Sequence, residues 1–145
     1  MVFEPKTRAK EARRQRRFAL INRASGWFGV VGLGFVSISD ADDLTNIDAL
    51  SNLTHVGGDL NIQNNDVLAD IDSLSKVTSV AGLYLSANLV LTNVNGLSNL
   101  TSVGASLRIY YHPVLASIGL SSLTQVEEDL IIHDNDGLTN LEEDA

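Results

Sequence analysis

The sequence contains no cysteine and no long hydrophobic run, and each absence excludes a class of protein. Without cysteine the chain has no disulfides, no Cys-ligated zinc, no thiol nucleophile and no lipidated cysteine. The apolar run Trp27–Val36 has only ten residues, which is too short to span a bilayer. With 145 residues, of which 44% are hydrophobic, the chain has the size and composition of one ordinary globular domain.

Basic residues are scarce beyond the N-terminal segment. Residues 1–26 hold eight Lys or Arg and two acids, a net charge of +6. The remainder holds only Lys76 and Arg108 against sixteen acids, a net charge of −14. We do not expect so acidic a segment to bind nucleic acid. Only residues 1–26 carry the positive charge needed to bind phosphates or anionic lipid. Polysaccharide lyases need basic residues beside clustered acids in their cleft, and two basic residues are too few for such a site. We therefore expect no enzymatic activity.

From Leu44 onward the sequence repeats itself with a period of 23–24 residues. The turns are 44–67, 68–90, 91–114 and 115–137, followed by a partial turn, 138–145. Turns one and three are identical at 13 of 24 positions without a gap. A period of this length indicates a solenoid, in which each repeat is one coil that stacks on the next.

Each turn combines two spacings of apolar residues. In the first turn they recur every third residue from Leu44 to Val56, whereas Leu60 and Ile62 are two residues apart. The spacing of two is typical of a strand, and the spacing of three indicates a coil with tight 3₁₀-like corners. One strand per turn then stacks into a parallel sheet with a strand separation of ~4.8 Å. The predicted fold class is therefore an all-β-type solenoid.

One polar column follows the strands, three residues after an inner apolar residue of each turn. We interpret it as an inward structural ladder that satisfies backbone groups of its own and adjacent turns. Its members are Asn65, Asn88, His112 and Asn135. His112 departs from the asparagine pattern and precedes Pro113, so we predict a distorted corner in the third turn.

The outward positions of the strands collect large side chains in turns two to four. Tyrosine and arginine are enriched at binding hot spots, whereas aromatic and β-branched residues also simply suit a strand surface, and both interpretations remain open. On the first interpretation the sheet face binds a ligand through Tyr84, Arg108, Tyr110, Tyr111, Ile131 and His133.

Other chemistry has little support in the sequence. The three histidines, His55, His112 and His133, lie in different repeat columns without metal-ligand spacing, so we predict no metal, no cofactor and no catalytic residue. The aspartates at the corners match neither the EF-hand loop nor the glycine-rich calcium repeat. Asn52 and Asn99 each begin an Asn-Leu-Thr sequon for N-glycosylation, but the repeat consensus itself contains this tripeptide, so it is weak evidence of glycosylation.

The segments at the two ends have alternative interpretations. Residues 1–26 form a basic leader, either the n-region of a signal peptide or a short helical arm. Residues 27–43 are either an apolar half-turn that caps the coil or the h-region of that signal, with Ser37-Ile38-Ser39 as a cleavage site. The partial fifth turn predicts that the fourth strand lacks a full covering turn, as in a fragment of a longer array.

The repeat motif LxxLxxLSxLTxVGGxLxIxxNxxL resembles the leucine-rich-repeat-like turns of receptor L-domain proteins. The resemblance extends over residues 44–141 and several turns in register. It implies a right-handed single-stranded β-helix at a bacterial or fungal type of cell surface, used for binding or scaffolding. Our leading hypothesis is accordingly a non-catalytic surface module that binds a protein or a glycan, secreted if residues 1–39 are a signal peptide. The alternatives are a structural spacer within a longer array, or an intracellular protein tethered by residues 1–26.

Overall fold

The computed structural model describes residues 34–138, which form a parallel β-solenoid of about four turns. Eight strands occur in this part of the chain: β1 Val36–Ser39, β2 Leu60–Gln63, β3 Ser79–Val80, β4 Leu83–Ser86, β5 Ser102–Val103, β6 Leu107–Tyr110, β7 Gln125–Val126 and β8 Leu130–His133. The predicted solenoid is thereby confirmed. The predicted basic helix or leader, residues 1–26, lies outside the described residues.

The principal sheet stacks one strand from every turn in the order β1-β2-β4-β6-β8, with all pairs parallel. Equivalent residues of successive turns are in register, so that Leu83 pairs with both Leu60 and Leu107. β1 holds the position in this sheet that the half-turn interpretation assigns to residues 27–43. Cleavage after Ser39 would remove β1, and the division of the chain into leader, apolar segment and solenoid stays a prediction.

A second, narrow sheet corrects the expectation of one strand per turn. β3, β5 and β7 pair in parallel just before the bend that leads into the principal strand. The threonines before them continue the ladder, because the Thr101 amide donates to the Thr78 carbonyl at 2.9 Å and the Thr124 amide donates to the Thr101 carbonyl at 2.9 Å. Two-residue strands are too short to produce a periodicity of two in the sequence.

The predicted tight corners are confirmed in the first three turns, which contain 3₁₀ helices at Asp48–Leu50, Asp72–Leu74 and Asn95–Leu97. Turn four, within the described residues, has no such helix. It is one residue shorter at this point, since Ile118 and Leu120 are two residues apart where Val94 and Leu97 are three apart.

The core consists of the inward columns predicted from the spacing, and it weakens toward the C-terminal end. In turns one to three the inward leucine, isoleucine and valine columns are buried, whereas the valines that end these turns, Val67, Val90 and Val114, are exposed. In turn four Leu123 and Val126 are only partly buried, while Leu130 is 60% and Ile132 41% exposed. Most of the partial fifth turn that follows this strand, residues 139–145, lies outside the described part of the chain.

The inward polar column forms a continuous hydrogen-bonded ladder. The Asn88 side-chain amide donates to the Ile62 carbonyl at 3.0 Å, and its oxygen accepts from the Asn65 backbone amide at 3.1 Å. Asn65 and Asn135 repeat this arrangement toward the turn that precedes each of them. Each of these asparagine side chains therefore satisfies one donor and one acceptor that the curved backbone leaves inside the coil.

His112 takes the place of asparagine as an acceptor in this ladder, while its buried Nε2 has no hydrogen-bond partner among the described residues. Its Nδ1 accepts from the Asn88 backbone amide at 3.3 Å, and its own amide donates to Asn135 at 3.1 Å. The preceding Tyr111 has φ 60°, close to the 51° of Ala87 before Asn88, so the predicted distortion is wrong. Burial lowers the pKa of His112 below 6.5, against the opposing effect of the Leu85 and Asn88 carbonyls.

Replacing Asn88 by alanine is expected to destabilise the protein by about 3 kcal/mol, because the Ile62 carbonyl and the Asn65 amide lose their buried partner. Asn99→Ala is the matched control, since the Asn99 side chain donates to the Ser75 carbonyl of the preceding turn at an exposed site. Urea unfolding of both variants measures the difference. Equal destabilisation by the two would contradict the ladder's role.

Replacing Gly96 by alanine is expected to cost about 1–3 kcal/mol, because a Cβ there overlaps the backbone carbonyl of Ile71 in the preceding turn. Gly104→Ala is the control, since the nearest atoms to its Cβ lie 3.9 Å away on Ala81 and Val80. The midpoint temperature of thermal unfolding is measured for both variants and for the wild type. A loss of stability in Gly104→Ala as large as that in Gly96→Ala would mean that turn spacing is not the cause.

The depressed pKa of His112 predicts that acidification destabilises the fold. The neutral ring is favoured in the native state, so the unfolded chain binds the proton first as the pH falls below about 6.5. The stability that His112 contributes is thus complete above pH ~6.5 and declines toward its lowered native pKa. Denaturant unfolding at pH 7.5 and 5.5 tests this, with His112→Asn as the control that restores the ladder residue. A decline that persists unchanged in His112→Asn would assign the effect to the carboxylates.

Candidate functional site

The outward side chains of the principal sheet form two columns, because successive residues of a strand point to opposite faces. Asn61, Tyr84, Arg108 and Ile131 are in register in the first column, and Gln63, Ser86, Tyr110 and His133 in the second. We call these two columns, together with Tyr111, the sheet face. The first turn contributes short polar residues to it, and turns two to four contribute the large ones.

Tyr84 and Arg108 are register partners that contact each other. The Arg108 guanidinium carbon lies 5.9 Å from the centre of the Tyr84 ring, within the range of a cation–π contact. Arg108 Nη2 also forms an ion pair with Asp129 Oδ2 at 3.2 Å. Both charged side chains are 42% or more exposed, so the pair contributes only about 0–1 kcal/mol to stability. The guanidinium is therefore held between a ring and a carboxylate of its own chain.

Tyr110, Tyr111 and His133 form an aromatic cluster, the name used for these three rings below. The Tyr110 and His133 rings are stacked, with centres 5.2 Å apart and planes 12° apart. Tyr111 meets both edge-on, at 5.2 Å from Tyr110 and 5.7 Å from His133. His133 Nδ1 in turn lies 2.7 Å from Asp134 Oδ2. The three rings thus form one packed surface that ends in a carboxylate.

The position of the Tyr111 ring depends on an unusual backbone conformation. Adjacent residues of a strand point to opposite faces, yet the Tyr110 and Tyr111 rings touch. Tyr111 has φ 60°, in the left-handed region that costs a bulky residue about 1–2 kcal/mol. The equivalent positions of the other described turns carry smaller residues with the same sign of φ: Asp40, Asn64, Ala87 and Asp134. Tyrosine is the costly choice at this corner.

A shallow depression of about 380 Å³ lies beside the aromatic cluster. Its lining is Tyr111 and Pro113 of turn three with Asp134 and Asp136 of turn four. Tyr111 is 55% exposed, so its ring presents a large apolar surface to this space. We call this feature the corner depression.

The described part of the chain carries a strongly negative charge. Residues 34–138 contain thirteen acids against Lys76 and Arg108. Within the same range no group of three or more His, Cys, Asp or Glu is arranged to hold a metal ion. No helix in this part of the chain is long and apolar enough to cross a membrane.

The six predicted face residues separate into two contact groups. One is Tyr84 with Arg108, beside which Ile131 occupies the next strand in register. The other is the aromatic cluster, nearer the ends of the strands. Sequence reasoning missed Asp129 as the partner of Arg108, and it missed the corner depression. Asp129 directly precedes the inward Leu130, as Asp59 precedes Leu60, and this shared position is a signal that it reaches the sheet face.

No curated protein and no solved structure matches the sequence. One family model does match, that of the receptor L domain, over residues 33–145. The match includes β1 and all the repeats, which together make up most of the chain. It agrees with the parallel solenoid and with the residues that carry the repeat. The chain therefore belongs to the receptor L domain family, a family of non-enzymatic, ligand-binding repeat domains.

Proposed function

We propose that this protein is a non-catalytic cell-surface module that binds a protein or glycan ligand through its sheet face. The observation that carries the proposal is the concentration of large, partly exposed side chains on this face in turns two to four. These residues are Tyr84, Arg108, Tyr110, Tyr111, Ile131 and His133. Receptor L domains generally bind protein ligands and are typically extracellular, which supports both the binding role and the location.

The asymmetry of the sheet face supports a localised site. Asn61 and Gln63 of the first turn are in register with the larger residues but offer little apolar area. Aromatic side chains bring large contact area with a polar handle, and interface energy concentrates in a few such residues. A face that served only as a covering for the core has no need of a tyrosine in the left-handed region.

A structural spacer within a longer repeat array is the second candidate. It is favoured by the apolar surface at the C-terminal end of the described solenoid, where Leu130 and Ile132 are exposed. In an array a further turn covers such a surface, and no face need be special. A ligand bound through the sheet face distinguishes the two functions. The third alternative, tethering by residues 1–26, concerns residues outside the described part of the chain.

Substituting both Tyr84 and Tyr110 by alanine is expected to weaken ligand binding at least about tenfold, because hot-spot aromatics each carry 1 kcal/mol or more. The full chain is immobilised, partners are captured from a cell-surface extract, and their retention is quantified for each variant. Asn61→Ala/Gln63→Ala is the matched control, since it truncates the same two columns in the first turn. Circular dichroism verifies that both variants keep the folded β-solenoid.

Capture that the tyrosine variant abolishes and the control retains supports the sheet-face site. Equal capture by both variants would contradict it, and the absence of any partner on the intact chain would favour the spacer.

A further inference from the structure

We propose that the corner depression is a pocket for a cationic side chain, and that the ligand is a basic peptide segment presenting arginine or lysine. The inference rests on the proposed function and deepens it, because the pocket adjoins the aromatic cluster of the sheet face. It chooses a protein ligand over a glycan from the chemistry of the lining residues.

The lining supplies the two elements that hold a cation. The exposed Tyr111 ring offers a π face, over which ammonium and guanidinium groups bind. The carboxylates of Asp134 and Asp136 lie in the same lining and accept charge-assisted hydrogen bonds from such groups. A volume of about 380 Å³ is at the small end of protein ligand sites and has room for an arginine or lysine side chain.

The chain already contains one complete example of this arrangement. Arg108 lies over the Tyr84 ring and pairs with Asp129 on the same sheet face. At the corner depression a ring and two carboxylates recur. Asp134 Oδ2 lies 2.7 Å from His133 Nδ1, but no lysine or arginine of residues 34–138 pairs with Asp134 or Asp136. Arg108 pairs with Asp129, and the Lys76 ammonium donates to Asn52 at 3.0 Å. A basic side chain of the ligand would bind at the corner between the ring and the carboxylates, as Arg108 lies between Tyr84 and Asp129 on the strands.

The surrounding charge favours the same class of ligand. Thirteen acids against two basic residues in the described part of the chain give a negative potential that attracts cationic segments and repels anionic ones. Neutral sugars gain nothing from this potential. Charge complementarity therefore selects a basic peptide as the occupant.

The backbone at Tyr111 indicates that the ring is there for a purpose other than folding. Its left-handed φ suits the aspartates and asparagine found at three of the equivalent corners, and a fourth has alanine, yet this turn has tyrosine. Strained positions of this kind cluster at ligand sites. The Tyr111 ring lines the corner depression, and removing it separates binding from stability.

The test is NMR titration of the isotope-labelled full chain with N-acetyl-arginine amide, and with N-acetyl-glutamate amide and chitobiose as comparison probes. We expect the arginine probe alone to shift the signals of residues 111–113 and 133–136. Asp134→Asn/Asp136→Asn is expected to weaken this binding at least fivefold. Asp66→Asn/Asp70→Asn is the matched control, because it removes the same charge where the first turn leads into the second and is expected to bind as the wild type does.

Tyr111→Asn is the variant that separates binding from folding. It is expected to weaken arginine binding at least fivefold while the unfolding midpoint stays equal or rises, because asparagine suits the left-handed backbone. Tyr111→Phe, which keeps the ring, is expected to retain binding.

The inference is overturned if the arginine probe leaves these signals unmoved, if the Asp134→Asn/Asp136→Asn variant binds as well as the control, or if chitobiose moves them instead. The proposed function fails separately. It fails when substitution of Tyr84 and Tyr110 leaves partner capture unchanged, whatever the arginine probe does. Partner capture that needs those tyrosines but not the two aspartates keeps the sheet-face function and rejects the pocket.

Discussion

The hydrogen bonds that join the inward polar side chains to the backbone of the preceding turn are the constraint on which this molecule depends. A coil that turns back on itself every 23–24 residues encloses backbone groups that neither sheet can pair. Asn65, Asn88 and Asn135 each reach into the preceding turn and satisfy a carbonyl and an amide there. The corners can therefore be tight, the strands stay in register, and the outward side chains rise in straight columns. The sheet face is a consequence of this inner order.

The repeated environment explains why so much of the fold was predictable from the sequence. Every period places Leu60, Leu83 and Leu107 in the same surroundings, so a residue pattern seen several times over fixes the inward columns and the pairing register. Features without repetition or periodicity escaped prediction. Two-residue strands such as Ser79–Val80 are too short to produce a recognisable pattern of alternating residues. The right-handedness of the solenoid was predicted only from the family resemblance, since the repeat pattern does not contain it.

The candidate site was predictable in its membership but not in its contacts. The outward columns identified Tyr84, Arg108 and Tyr110, because a parallel register aligns equivalent positions. That Tyr111 joins them depends on a left-handed backbone, which a strand pattern does not contain. The corner depression arises from the shape of two neighbouring corners, and its carboxylates looked in the sequence like ordinary solvated acids. The prediction of a distorted corner at His112 was wrong because an imidazole nitrogen can accept the hydrogen bond that an asparagine oxygen accepts in the other turns, so the backbone conformation of the corner is unchanged.

The ladder also constrains how such a chain can change its length in evolution. Each inward side chain meets partners in the turn before it. The one-residue difference between turns of 23 and 24 residues is absorbed at a corner, whereas an insertion or deletion that moves the inward side chain away from the preceding turn interrupts the series. Whole turns can be duplicated or lost while every remaining corner keeps an equivalent neighbour. A face residue can then be moved only in steps of one strand spacing, ~4.8 Å, relative to the others. Diversification of these surfaces thus proceeds by copying turns and by exchanging outward side chains within them.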